Sequence, residues 1–251
     1  MIPLKDDNPT DSKPIVTYWL IGICVFVFII ELSSSSYRTG AFFYSFGLTP
    51  SVLLGHIQLS QDLYVIPAFL TIFSSMFVHG GFMHLIGNML YMWIFADNIE
   101  DNLGPKRFII FYLLCGICAA MAQVIMDTHS KIPMVGASGA IGGVLGAYLI
   151  NYPHAKVLVL IPLGFFSQIL RIKAIYVLGF WFILQFINSA LANPQGGGVA
   201  YAAHIGGFLS GVILILFYKI CLCLLLFQLI KKVLSCLKLI NMLRFIKFLF
   251  F

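Results

Sequence analysis

Apolar residues along this chain come in runs of roughly 15–20, broken by short polar stretches, a pattern of successive membrane spans rather than of half-buried surface helices. The first run is Ile15 to Leu32, closed by the serines at 33–36. A long segment, Tyr37–Gly81, follows. Within it Leu63–Val78 is apolar, but Pro67 interrupts it and no basic residue flanks it until Lys106. It is read as an irregular loop, partly immersed, whose backbone must be covered by protein at that depth. Five further spans are predicted over Phe82–Ala96, Phe108–Met126, Ser138–Tyr152, Ala174–Leu191 and Val199–Tyr218. Val157–Phe166, about ten residues, is too short to cross and is placed at the interface. The connection NPQGGG, Asn193–Gly198, has hinge character.

The predicted fold class is therefore an all-α polytopic membrane protein. It has a cytoplasmic N-terminal tail over 1–14, a bundle of six transmembrane helices over 15–218, and a basic amphipathic C-terminal tail over 219–251. Basic residues orient it. With the N-terminus inside, Lys5, Lys13, Lys106, Arg107, Lys156, Arg171, Lys173 and every basic residue from Lys219 onward fall on the inner side. Only Arg38 and Lys131 fall outside, the asymmetry expected of cytoplasmic loops. A seventh span at Leu63–Val78 would reverse everything after it and destroy that bias. The expected location is a bacterial inner (cell) membrane with both ends cytoplasmic.

Composition supports the class: 61% of residues are hydrophobic and 10% are charged. The net charge of +6 is no nucleic-acid footprint, because its residues lie between apolar runs and in the tail. That tail suits the anionic inner leaflet. The polar start carries no basic region followed by a cleavage site, so the first span is expected to direct insertion itself. Cys24, Cys115, Cys118, Cys221, Cys223 and Cys236 lie in apolar runs or the tail, which argues against a disulfide framework. Cys115-Gly-Ile-Cys118 has CxxC spacing mid-span, without a second ligand pair, and is read as two packed thiols. His56, His79, His129 and His154 are read as solvated or interfacial, with His79 a candidate for the cavity mouth. Without HExxH or carboxylate partners they indicate no metal. No cofactor is expected. Trp19, Trp93 and Trp181 are packing or interfacial residues, and Trp181 could border a gate on the fifth span.

Four polar side chains then need a reason to lie in hydrocarbon, where each costs about a few kcal/mol if unpaired. Ser138 opens the glycine-rich helix of MVGASGAIGGVLGAY, and His204 lies in AAHIGGFLSG. His84 and Asn88, four apart, share a helix face. His204 falls roughly 8 Å below the outer entrance of its span, and the fourth span, roughly 22 Å long against a core of about 30 Å, must start below the surface. All four groups can thus meet in the outer half. Small-xxx-small pairs at Gly139/Gly143, Gly142/Gly146 and Gly207/Gly211 let backbones approach closely. An imidazole beside a serine can take its proton and return it to a leaving amine. The backbone N–H of Ser138, the Asn88 amide and a His84 N–H are candidate donors to the oxyanion. No acid accompanies them, so a Ser–His dyad is the economical arrangement.

The motifs H-x-x-x-N from His84, G-x-S-G around Ser138 and A-H-x-x-G-x-x-x-G around His204, in this order on three spans, resemble those of the rhomboid intramembrane serine proteases. The resemblance runs from about Thr71 to Gly211. It implies a six-helix bundle, a water-filled cavity opening outward, and cleavage of other proteins' transmembrane segments near small residues. It also assigns the nucleophile to Ser138, the base to His204 and oxyanion roles to His84 and Asn88, and the expected partners are transmembrane substrates and the lipid bilayer. Two features depart from the family pattern. The first loop has Arg38 but no tryptophan, and Gly142 stands where an aromatic ring often stacks on the histidine, so His204 must be oriented by Tyr201 or a neighbouring helix. The rival function is a proteolytically inactive relative that binds client helices. A transporter is disfavoured by the lack of repeat-related broken helices.

Overall fold

The helix expected first, α1, occupies Ile15–Leu32 in the computed structural model, which describes residues 1–33, 36–162, 166–191 and 198–223. No side chain at Pro14 caps it. The buried carboxylate of Glu100 does so from elsewhere in the chain, accepting the backbone N–H groups of Val16 (2.9 Å) and Thr17 (2.8 Å) and the Thr17 hydroxyl (2.8 Å). A negative charge there satisfies otherwise orphaned donors and faces the positive end of the helix dipole.

The segment expected as an irregular loop contains more helix than that. It forms α2 (Ser36–Phe46), α3 (Pro50–Leu53), a 3₁₀ turn at Ala68–Leu70, α4 (Thr71–Ser74) and a second 3₁₀ turn at Ser75–Phe77. Pro67, taken from sequence as an interruption, is instead the residue from which these turns begin, its φ of −54° already suited to a helix start. The turns end at Phe77 and the chain bends by 79° into α5 (Phe82–Leu103).

α5 runs seven residues past the expected end, because the polar residues after Ala96 are paired rather than solvated. Asn98 donates to the Asn8 carbonyl (3.0 Å), Glu100 caps α1, and Asp101 accepts the N–H groups of Asp11 (3.1 Å) and Ser12 (2.9 Å). Pro105 starts α6 (Pro105–Met126), and α7 (Ser138–Asn151), α8 (Ala174–Leu191) and α9 (Tyr201–Cys223) follow.

Two segments that carry no helical pattern are also ordered. Part of the apolar piece Val157–Phe166 is β-strand, and so is part of the N-terminal residues 1–14. Ile2–Asp6 (β1), Lys156–Ile161 (β2) and Gln168–Lys173 (β3) form an antiparallel sheet in the order β1-β2-β3. Val157 and Val159 alternate inward and are fully buried, the period-2 pattern that a short apolar run conceals. Tyr148 donates to Asp6 (2.5 Å), tying the sheet to α7. The chain is thus mostly helical rather than all-α.

Among the described residues, α1, α6, α8 and α9 are long and apolar enough to cross a membrane, and the bent pair Ala68–Phe77/Phe82–Leu103 makes up to five. α7 is shorter, and every residue from Gly139 to Tyr148 is buried. A helix enclosed by protein does not have to match the hydrocarbon thickness. Its glycines permit the enclosure: a Cβ on Gly207 would overlap the Gly139 carbonyl, one on Gly211 the Gly143 carbonyl, and one on Gly143 the Cys115 side chain. Cys115 is therefore packed while Cys118 is exposed, so the two thiols are not a packed pair. Residues Met1–Val212 form one compact unit, and a second begins at Ile213. The expected amphipathic tail beyond 223 and most of the NPQGGG connection lie outside the described residues.

Candidate active site

Ser138 is the first residue of α7, delivered by a loop held at two points. Met134 and Leu48 exchange backbone hydrogen bonds (2.8 and 2.9 Å), and the Gly136 N–H donates to the Ser75 carbonyl (2.8 Å). Gly136 has φ +120°, and a Cβ there would lie 2.6 Å from His84 Nε2. Only glycine allows both this backbone and the approach of the ring.

His204, 66 residues further on, sits in the first turn of α9, and its Nε2 lies 2.7 Å from Ser138 Oγ. The close backbone packing of α7 and α9 at Gly139 and Gly207 makes that distance attainable. Nδ1 of the same ring is 2.8 Å from Gln185 Oε1 on α8. Trp181, one turn earlier on α8, lies near the imidazole at 5.7 Å between centroids and 31° between planes, while Tyr201 meets it edge-on at 6.3 Å. Phe182 stacks on Phe208 (4.1 Å, 19°), packing α8 against α9.

His84 approaches from α5. The Gly80 N–H donates to its Nδ1 (3.3 Å), so a neutral ring carries its proton on Nε2, the atom beside Gly136. Ser138, His204 and His84 line one cavity of about 500 Å³, together with Met83, Gly136 and Val199. Asn88 does not line it. Asn88 is buried one turn along α5, and its Nδ2 donates to the His84 carbonyl (3.0 Å), leaving one amide hydrogen. A second cavity, about 530 Å³, shares Val199 and Ala200 with the first and contains neither Ser138 nor His204.

His79 is neither solvated nor at the cavity mouth. It is fully buried, its ring 5.2 Å from that of His84. His56 and His129 stack on each other at 4.5 Å. Trp19 and Trp93 are exposed, as interfacial rings would be. Trp181 is placed at the imidazole. Among the described residues no three His, Cys, Asp or Glu side chains converge as metal ligands would.

Gln185 is the site residue that sequence reasoning missed. One signal existed: it is an amide within an apolar span, and such a group needs a partner.

The arrangement is a hydroxyl paired with an imidazole, beside ring and backbone donors, in a lined cavity. Comparison with known proteins gives it a lineage. The family model described as Rhomboid domain matches residues 66–221. "Rhomboid protein 1, mitochondrial" of Saccharomyces cerevisiae is 32% identical over 151 residues, covering 57% of this chain and 40% of its own. "Presenilin-associated rhomboid-like protein A, mitochondrial" of Danio rerio is 32% identical over 144 residues, covering 55% and 34%. "Rhomboid protease GluP" of Bacillus subtilis is 29% identical over 202 residues, covering 80% and 34%. The chain spans between a third and two fifths of the length of these relatives.

Proposed function

We propose that this chain, which belongs to the rhomboid family, is a serine endopeptidase that hydrolyses peptide bonds in or beside the transmembrane segments of other membrane proteins. The observation that carries this reading is the 2.7 Å separation of Ser138 Oγ and His204 Nε2. A serine in an apolar helix ordinarily bonds to its own backbone. This one is aimed at an imidazole on another helix, within a cavity of about 500 Å³.

The chemistry follows from the pair. Ser138 Oγ attacks the scissile carbonyl carbon as its proton passes to His204 Nε2. The carbonyl oxygen, now an oxyanion, takes hydrogen bonds from His84 Nε2–H and the Ser138 N–H, which the start of α7 leaves without an intrahelical partner. The remaining Asn88 hydrogen is a further donor. The C–N bond breaks, His204 gives the proton to the leaving amine, and an acyl-serine remains. Water then attacks the ester with His204 as base, and collapse frees the carboxylic acid and regenerates Ser138.

The proposed setting is a bacterial cell membrane. The catalytic core over 15–218 forms six spans, with α7 the enclosed one, both ends are cytoplasmic, and the cavity opens outward. The distribution of basic residues supports the orientation, and the basic tail over 219–251 is assigned to the inner leaflet. Fractionation of the source cells tests the location, and mitochondrial recovery would replace it.

The test of activity is cleavage of a single-span reporter by the protein in proteoliposomes. Ser138→Ala and His204→Ala should each lower the rate by about 10³-fold or more, with the bundle still folded. Wild-type protein that retains the reporter uncut would favour the client-binding reading instead.

A further inference from the structure

We propose that Gln185 is a positioning residue that holds His204 in the tautomer with its proton on Nδ1, leaving Nε2 as the acceptor for the Ser138 hydroxyl. The proposal deepens the dyad reading above and rests on it. The direction of each proton can be deduced by starting from the end of the chain that has no choice. The Trp181 carbonyl can only accept, and the Gln185 side-chain nitrogen lies 2.8 Å from it, one turn on along α8. The amide must therefore present its NH₂ to Trp181, because the reverse orientation would set two acceptors face to face. That leaves Oε1 directed at His204 Nδ1, 2.8 Å away. An amide oxygen has no proton to give, so Nδ1 donates. A neutral imidazole with hydrogen on Nδ1 has its lone pair on Nε2, and that atom is 2.7 Å from Ser138 Oγ. One backbone carbonyl thus sets the direction of three successive hydrogen bonds ending at the nucleophile.

The surroundings keep this arrangement in place. Gln185 is 6% exposed, on a helix whose neighbouring residues Ile183, Phe186 and Ile187 are exposed and apolar, so its amide is largely withdrawn from the surface. Trp181 supplies a ring beside the imidazole. Gly142 supplies no ring, and a Cβ there would already lie 3.0 Å from the His204 carbonyl oxygen. Support for His204 thus comes from α8, through an amide and an indole one turn apart. No carboxylate is needed to set the tautomer, since a neutral acceptor suffices for a neutral base.

The experiment reads the tautomer directly, by ¹⁵N NMR of imidazole-labelled protein in bicelles, with His204→Asn identifying the His204 signals. Wild type is expected to carry hydrogen on Nδ1. Gln185→Met keeps length and volume but removes the acceptor, and should shift His204 toward the Nε2–H form. It should also lower kcat by about 10- to 100-fold with KM within about twofold. Gln185→Glu restores an acceptor for Nδ1 and should recover the Nδ1–H form, with only part of the rate, because its second oxygen then faces the Trp181 carbonyl. A wild-type ring protonated on Nε2 overturns the proposal without any variant, and so does an unchanged tautomer in Gln185→Met. Failure of the protease reading would look different: wild type would not cut, while the tautomer measurement would still decide the role of Gln185.

Discussion

His84 and Asn88 sit one turn apart on the same helix, yet their surroundings assign them unequal weight. The ring of His84 lines the cavity with Nε2 beside Gly136, whereas Asn88 has one amide hydrogen committed to a backbone carbonyl. Replacing a well-aimed oxyanion donor costs about 10²–10³-fold in turnover. His84→Ala should therefore fall in that range and Asn88→Ala by less, about 10-fold, with reporter binding retained in both. Steady-state kinetics on the proteoliposome assay would check the order, and a larger loss at Asn88 would move the oxyanion toward it. The polar residues on α5, α7 and α9 were legible in the sequence because each stands among small residues or at helical spacing. Gln185 was not. A lone amide carries no spacing pattern, and only the demand for a hydrogen-bond partner marks it.

At the scale of elements, glycine decides which helices can touch. On α9, Gly207 and Gly211 lie against carbonyls of α7, so a Cβ at either must push the helices apart. Gly207→Ala should destabilise the fold by about 1–3 kcal/mol and weaken activity, since it widens the gap that Ser138 and His204 bridge. Gly179 on α8 has nothing within 4 Å of where its Cβ would be. Gly179→Ala should be neutral or stabilise by up to about 1 kcal/mol through helix propensity. Unfolding in mixed micelles, read by tryptophan fluorescence, separates the two. The small-xxx-small spacing announced the first contact from sequence. The sheet was concealed, because β2 is one apolar stretch whose partners lie about 150 residues earlier and just after it. Period-2 burial becomes visible only once both flanking strands are in place.

Over the whole molecule, one end of the bundle is strapped by the N-terminal residues, which connect to α5 through Asn98, Glu100 and Asp101 and to α7 through Tyr148. Glu100→Ala leaves α1 uncapped and should cost about 1–3 kcal/mol, measured by the same unfolding assay. Asp6 adds a pH dependence. Burial raises its carboxyl above the ordinary 3.8, against the opposing hydrogen bond from Tyr148. A raised value means the folded state favours the protonated acid. The contribution is present in full below about pH 3.8 and is lost as pH rises through the raised value. Asp6→Asn should flatten that part of the stability profile and leave the protein at least as stable at neutral pH. The run of apolar segments made the membrane class legible, but the short enclosed α7 and the folded N-terminus depend on contacts distant in sequence.

The measurement that bears most directly on the dyad is labelling with a serine-directed fluorophosphonate, located by mass spectrometry of the intact and digested protein. The expected result is one adduct, on Ser138, absent in His204→Ala and slowed in Gln185→Met. An unlabelled Ser138 in folded wild-type protein, or equal labelling without His204, would contradict the account.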